Sequence, residues 1–165
     1  MFKVKTYITR GERMQRKIMF ICTGNICRSA MAEYIIRKKI VDMNLNDKFF
    51  VCSSGIYAYS GDMPTYEALK IMNDEYGIDL SKHRATPVKD SKIEDMDLIL
   101  CMTNSHKNTL LTIYPNLENR IFLMKEYVGL LGDVEDPYGG SLNVYSNCAK
   151  ELNYCIDLLL KKEGF

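Results

Sequence analysis

The 165-residue sequence contains no tryptophan, only two histidines and only four prolines. It also lacks any apolar run approaching the ~20 residues that a membrane-spanning helix needs. Neither sign of charge is in excess, because the sequence contains 22 Lys and Arg and 21 Asp and Glu, which gives a formal net charge of +1. Without a basic field, neither nucleic acid nor an anionic membrane is expected as a partner.

The six cysteines lack the spacing of a metal site. No two of them are separated by two residues, and both histidines are far from any cysteine pair, so we expect reduced thiols, no metal and no cofactor. Four cysteines fall in apolar stretches, and we interpret them as small core residues. These are Cys52, Cys101, Cys148 and Cys155.

The amino-terminal stretch, residues 1–16, is basic and of mixed character. It lacks the apolar core of about 7–15 residues that marks a secretory signal peptide. We therefore expect a cytoplasmic protein with a flexible extension at 1–16 and a single domain at 17–165. Met14 is an alternative start of the chain.

Apolar runs and helical periodicity alternate along the chain. Buried strands are predicted at 17–22, 49–54, 97–102 and 120–124, and helices at 29–43, 65–77, 103–114 and 142–162. Ser29 and Thr103 are suitable N-caps, and Gly77 is suited to end the second helix. The alternation predicts an α/β domain with a parallel sheet covered on both faces.

Residues 22–29, CTGNICRS, combine a thiol, a tight loop and an arginine directly after the first strand. Ligands of parallel sheets bind at the carboxyl ends of strands. Gly24 and Asn25 tolerate positive φ, so the loop can curl and point backbone N–H groups inward at a helix start. Arg28 adds a planar fork for two phosphate oxygens. The pattern predicts a phosphate-binding loop that favours the thiolate of Cys22 as a nucleophile.

A second loop, at 132–141, contains Asp136 followed by Pro137. An Asp-Pro pair alone usually indicates only a turn. A cysteine phosphatase, however, needs an acid that protonates the leaving oxygen. The presence of the Cys22 loop therefore makes Asp136 a candidate general acid.

Three segments together resemble the low-molecular-weight protein tyrosine phosphatase family: CTGNICRSAMAE, LILCMT and EDPYGGS. The resemblance runs in consistent order from about residue 17 to 163. It implies a three-layer α/β fold, with a four-stranded parallel sheet flanked by helices and a phosphate-binding loop after the first strand. It also implies a metal-independent phosphatase that acts on phosphoproteins and releases inorganic phosphate.

Carried over by motif, the resemblance implies Cys22 as the nucleophile, Arg28 as the phosphate clamp and Asp136 as the general acid. Ser54 would support the loop, and Cys27 would trap an oxidised Cys22 as a disulfide unless it is only a packing residue. Asn25 and Ser29 would shape the loop and steady the thiolate. Substrate contacts are expected from Thr23, Gly24, Asn25, Ile26, Cys27, Ser29 and Tyr138, with Tyr57 or Tyr59 as the wall opposite Tyr138.

The resemblance leaves the substrate open. In the family, the fifth residue of the loop, counted from the nucleophilic cysteine as the first, goes with the substrate. Threonine at this position goes with phosphoarginine as substrate, and isoleucine goes with phosphotyrosine. The residue here is Ile26, which favours phosphotyrosine, although residues 125–141 resemble the phosphoarginine branch. An arsenate reductase needs two further redox cysteines on a mobile loop, and a phosphopeptide-binding module would not need a nucleophile and an acid, so both are less favoured.

Overall fold

The computed structural model describes residues 15–165, so the expected extension lies, through residue 14, outside the described residues. Four strands of this described part form one parallel sheet: β1 (Arg16–Cys22), β2 (Phe49–Gly55), β3 (Leu98–Cys101) and β4 (Ile121–Leu123). The order across the sheet is β2–β1–β3–β4. This confirms the predicted parallel α/β architecture and its four strands.

Within the described residues, five α-helices connect and cover the strands: α1 (Arg28–Asp42), α2 (Tyr66–Tyr76), α3 (Asn104–Ile113), α4 (Met124–Tyr127) and α5 (Leu142–Lys162). The central strand β1 separates two apolar layers, because successive side chains point to opposite faces. Ile18 and Phe20 pack with α1, α2 and α5, whereas Met19 and Ile21 pack on the α3 face. Burial of each such side chain stabilises the fold by about 1.5–3 kcal/mol.

Two of the three predicted helix-capping residues are confirmed. Thr103 and His106 form a capping box at α3, and Gly77, with φ +63°, ends α2. The prediction of Ser29 as an N-cap is wrong. α1 begins one residue earlier, its N-cap is Cys27, and no side-chain hydrogen bond caps it, because the Ser29 hydroxyl bonds within the preceding loop.

The core cysteines are placed as expected with one exception. Cys101, Cys148 and Cys155 are buried, but Cys52 is half-buried because β2 is an edge strand of the sheet. No helix within residues 15–165 is both long enough and apolar enough to cross a membrane.

Candidate active site

The loop between β1 and α1 curls at the carboxyl edge of the sheet. Asn25 has φ +56°, a left-handed conformation that asparagine adopts more readily than most residues. Gly24 also tolerates positive φ but does not adopt it, so the left-handed residue of the loop is Asn25. The loop is tied to the residues after β2 by N–H groups of Ile56 and Tyr57, which donate to the carbonyls of Cys22 and Thr23 at 3.0 and 2.9 Å.

Buried hydrogen bonds hold Asn25 in its left-handed conformation. Its side-chain Nδ2 donates to Ser29 Oγ at 2.9 Å and to Ser53 Oγ at 2.8 Å, and its Oδ1 accepts from the Thr86 N–H at 2.9 Å. The carbonyl oxygen of Asn25 lies 2.7 Å from His83 Nε2. Because all of these groups are fixed by other elements, the loop is preorganised before any ligand binds.

The sulfur of Cys22 lies at the floor of this loop. The residue is 2 % exposed, and its Sγ is 2.9 Å from Ser29 Oγ. Ser29 Oγ accepts a hydrogen bond from Asn25, and its single hydroxyl hydrogen can be donated either to the sulfur or to the more distant Ser54 carbonyl, 3.4 Å away. When it points at the sulfur, the Ser29 hydroxyl places a hydrogen-bond donor beside Cys22 Sγ.

The loop-supporting serine is Ser53 rather than Ser54. The Ser53 hydroxyl accepts from Asn25 and donates to the buried Glu33 carboxylate. The side-chain oxygen of Ser54 has no partner within residues 15–165, although its carbonyl oxygen lies 3.4 Å from Ser29 Oγ. The expectation for Ser54 was wrong by one strand position, which reverses the face of the sheet.

Gly55, at the end of β2, was not singled out from the sequence, yet the loop packs directly against it. A Cβ at this position would lie 2.6 Å from the Thr23 carbonyl oxygen and 2.8 Å from the Asn25 nitrogen. A glycine directly after a strand is a usable signal of close backbone approach.

Arg28, at the start of α1, is 3 % exposed. Its Nη1 donates to the Val134 carbonyl at 3.0 Å, and its Nη2 lies 3.5 Å from Asp136 Oδ2. Its Nε has no hydrogen-bond partner within the described part of the chain. A buried guanidinium with an unpartnered N–H is costly unless an anion binds it, and Nε with Nη2 can form a two-pronged contact with two phosphate oxygens.

The loop that carries Asp136 is anchored just upstream of this residue, and a bond within the loop orients the carboxylate. Val134 is fully buried, and its N–H donates to the Met102 carbonyl at 2.8 Å. Downstream, the Tyr138 N–H donates to Asp136 Oδ1 at 3.2 Å. The other carboxylate oxygen therefore faces Arg28, and the two distant sequence motifs meet in space.

A cleft of about 310 Å³ opens above the thiol and contains both motifs. Cys22, Arg28 and Asp136 line it together with Thr23, Gly24, Ile26, Cys27, Tyr57, Tyr59, Asp62 and Tyr138. Tyr57 and Tyr59 both line the cleft, so both of the alternatives for the wall opposite Tyr138 remain. The predicted contacts Asn25 and Ser29 do not line it, since they are buried behind the loop.

A larger cleft, of about 700 Å³, lies at the opposite end of the sheet around Lys17, Phe49 and Phe165. Among the described residues that line it there is no cysteine, serine or histidine. It therefore offers no thiol, hydroxyl or imidazole nucleophile, and the smaller cleft, which Cys22 lines, is the candidate active site. Within 15–165, no cluster of three or more His, Cys, Asp or Glu side chains is arranged to hold a metal ion.

Comparison with known proteins gives consistent matches. The model of the family "low molecular weight phosphotyrosine protein phosphatase" matches residues 17–163. A low molecular weight protein-tyrosine-phosphatase of Staphylococcus haemolyticus is 36% identical over 143 residues, which cover 87% of this chain and 96% of that protein. A protein-arginine-phosphatase of Bacillus subtilis is 35% identical over 146 residues, covering 88% and 95%.

A solved structure supports the same assignment. The low molecular weight protein tyrosine phosphatase from T. tengcongensis superposes with a TM-score of 0.85 at 42% identity and covers 90% of this chain and 99% of its own. The sheet order and the position of the thiol loop are thus accompanied by similarity over nearly the whole described chain. The chain belongs to the low molecular weight phosphotyrosine protein phosphatase family of hydrolases.

Proposed function

We propose that this protein removes phosphate from phosphotyrosine in proteins through a phosphocysteine intermediate. The observation that carries the proposal is the meeting of Cys22, Arg28 and Asp136 in one cleft. The walls of that cleft are apolar or aromatic, because Ile26, Tyr57, Tyr59 and Tyr138 line it. Such walls suit an aryl ring whose phosphate points to the thiol.

In the first step, Cys22 attacks phosphorus and the bond from phosphorus to the leaving phenolate oxygen breaks. Asp136, in its protonated form, donates a proton to that oxygen. Arg28 and the N–H groups of the loop stabilise the charge on the equatorial oxygens. Ser29 steadies the thiolate, and Asn25 keeps the loop in shape.

In the second step, water hydrolyses the phosphocysteine. Asp136 is now a carboxylate and accepts a proton from the water as it attacks phosphorus. The sulfur leaves as a thiolate, inorganic phosphate is released, and the enzyme returns to its starting state. All of the groups named belong to this chain, so neither a metal nor a cofactor is part of the proposed mechanism.

The test of the proposed function is hydrolysis of p-nitrophenyl phosphate and of a phosphotyrosine peptide in the presence of a metal chelator. We expect turnover of both, and a phosphorylated Cys22 in protein quenched during turnover. Absence of turnover, with phosphate still bound, would instead indicate a phosphopeptide-binding module.

Phosphoarginine is the second candidate substrate. The similarity to a protein-arginine-phosphatase at 35% identity favours it, whereas Ile26 favours phosphotyrosine. Ile26 is half-buried and lines the cleft. Its branched apolar side chain packs against a phenyl ring but offers no hydrogen-bonding group to a guanidinium.

Ile26→Thr is expected to shift the preference from phosphotyrosine toward phosphoarginine by at least ~tenfold in the ratio of kcat/KM, or about 1.4 kcal/mol. Threonine shortens the apolar wall and introduces a hydroxyl that can bond to a guanidinium or to water. Matched phosphotyrosine and phosphoarginine peptides should be assayed on both proteins. A wild type that already prefers phosphoarginine, or an unchanged ratio, would show that Ile26 is not the selector.

Mild peroxide is expected to inactivate the enzyme reversibly through a Cys22–Cys27 disulfide. Burial, with the nearby Cys22 charge, raises the pKa of Cys27 to about 12. Only a small fraction of Cys27 is therefore a thiolate at neutral pH, so disulfide closure should accelerate about tenfold per pH unit. Quenching at several pH values and peptide mapping measures this. Inactivation without a linked peptide, unrecovered by a thiol reductant, would contradict it.

A further inference from the structure

His106 lies beside the phosphate-binding loop although it is distant from that loop in sequence. It is the third residue of α3 and is 7 % exposed. Its Nε2 lies 2.8 Å from Oγ1 of Thr23, the residue that follows the Cys22 thiol. The contact arises because α3 follows β3, which pairs with β1 in the sheet.

A backbone contact at the other ring nitrogen fixes the tautomer of His106. The Thr103 N–H donates to Nδ1 at 3.2 Å, so Nδ1 must carry a lone pair. The hydrogen of the neutral ring is therefore on Nε2 and is donated to Thr23 Oγ1. Burial and the nearby Arg28 guanidinium lower the pKa of His106 to about 4, and the ring stays neutral well below pH 7.

The Thr23 hydroxyl accepts this hydrogen, which leaves its own hydrogen available. Its remaining acceptor direction faces Arg28 Nη2 at 3.5 Å, and the same Nη2 lies 3.5 Å from Asp136 Oδ2. Thr23 also lines the cleft with Cys22. With both acceptor directions engaged, the hydroxyl hydrogen remains available for donation to a phosphoryl group bound beside Arg28 in the same cleft.

We propose that His106 is a positioning residue that holds the Thr23 hydroxyl as a hydrogen-bond donor to the phosphoryl group. The proposal rests on the phosphatase function proposed above and adds a donor on the side of the cleft where Arg28 and Asp136 meet. A free threonine hydroxyl would lose rotational freedom when the ligand binds, whereas one held by His106 is already ordered by folding.

Two substitutions separate this role from a structural one. Thr23→Val removes the hydroxyl and keeps the shape of the side chain. His106→Gln keeps a side-chain oxygen that can accept from Thr103, since glutamine at the third helical position completes a capping box, but it does not carry the imidazole that reaches Thr23. We expect each variant to weaken binding of inorganic phosphate about three- to tenfold and to lower kcat/KM for p-nitrophenyl phosphate similarly.

The decisive readout is how the two substitutions combine, measured by calorimetry with inorganic phosphate. If His106 acts through Thr23, His106→Gln has no further effect in the Thr23→Val background but still weakens binding in the Thr23→Ser background, where a hydroxyl remains. An equal loss in every background would show a merely structural role and overturn the proposal. So would phosphate binding by Thr23→Val as tight as that of the wild type.

The outcome for His106 is distinguishable from the outcome for the proposed function. A wild type that binds phosphate but does not hydrolyse p-nitrophenyl phosphate contradicts the phosphatase proposal, and the calorimetric coupling still tests His106. If the wild type hydrolyses p-nitrophenyl phosphate but the variants show no coupling between positions 23 and 106, only the role of His106 is contradicted. Melting temperatures of all variants identify any loss that comes from unfolding.

Discussion

Replacement of Cys22 by serine is expected to abolish turnover while leaving phosphate binding intact. The Sγ of Cys22 is the proposed nucleophile, and a serine hydroxyl at this position is a far weaker one at neutral pH. Turnover of p-nitrophenyl phosphate should fall at least about a thousandfold, which corresponds to ~4 kcal/mol of activation free energy. Retention of more than about a hundredth of the wild-type rate would contradict covalent catalysis.

Phosphate binding should survive this substitution because Arg28 and the backbone N–H groups, not the thiol, form the proposed cradle. The affinity should therefore be close to that of the wild type. Calorimetry with inorganic phosphate or vanadate measures it. Cys52→Ser is the matched control, because Cys52 lies half-buried on the edge strand β2 and does not line the cleft.

The elements of the fold could be predicted largely from local sequence. β1 and the loop after it are contiguous in the chain, so their apolar run, turn and arginine are visible together at residues 17–29. The start of α3 at Thr103 and the end of α2 at Gly77 could also be predicted locally, since capping depends on neighbours within one turn. Ser29 failed because its hydroxyl has a competing use in the loop, which only the folded chain reveals.

The supporting contacts of the site could not be predicted, because they join residues that are distant in sequence. His83 reaches Asn25 across 58 positions and His106 reaches Thr23 across 83. Only the order of strands across the sheet brings these segments together. The choice between Ser53 and Ser54 depends on strand phase, where an error of one residue exchanges the two faces of the sheet.

Asp136 could be predicted only in part, because its motif is visible in the sequence but its contact with Arg28 is not. An Asp-Pro turn has no chemical meaning until the fold places it beside Arg28 Nη2, at 3.5 Å from Oδ2. Asp136 is about half exposed, so the ion pair contributes little to stability. The pair instead holds the carboxyl group in the cleft that Cys22 also lines.

Asp136→Ala is expected to lower kcat/KM for aryl phosphates with poor leaving groups by about 10²–10⁴-fold, the range of general acid catalysis. A leaving group of low pKa departs without protonation, so its loss should be much smaller. Binding of inorganic phosphate should not weaken, because the substitution removes a negative charge from beside Arg28.

The measurement is a plot of log kcat/KM against the pKa of the leaving phenol, for a series of aryl phosphates. This parameter reports the steps through phosphocysteine formation, so the later role of Asp136 in hydrolysis does not enter. We expect a shallow dependence for the wild type and a steep decline for Asp136→Ala. Glu135→Gln is the matched control, since its side chain is the adjacent carboxylate of the same loop but does not line the cleft. Two parallel plots, displaced but equal in slope, would show that Asp136 does not protonate the leaving group.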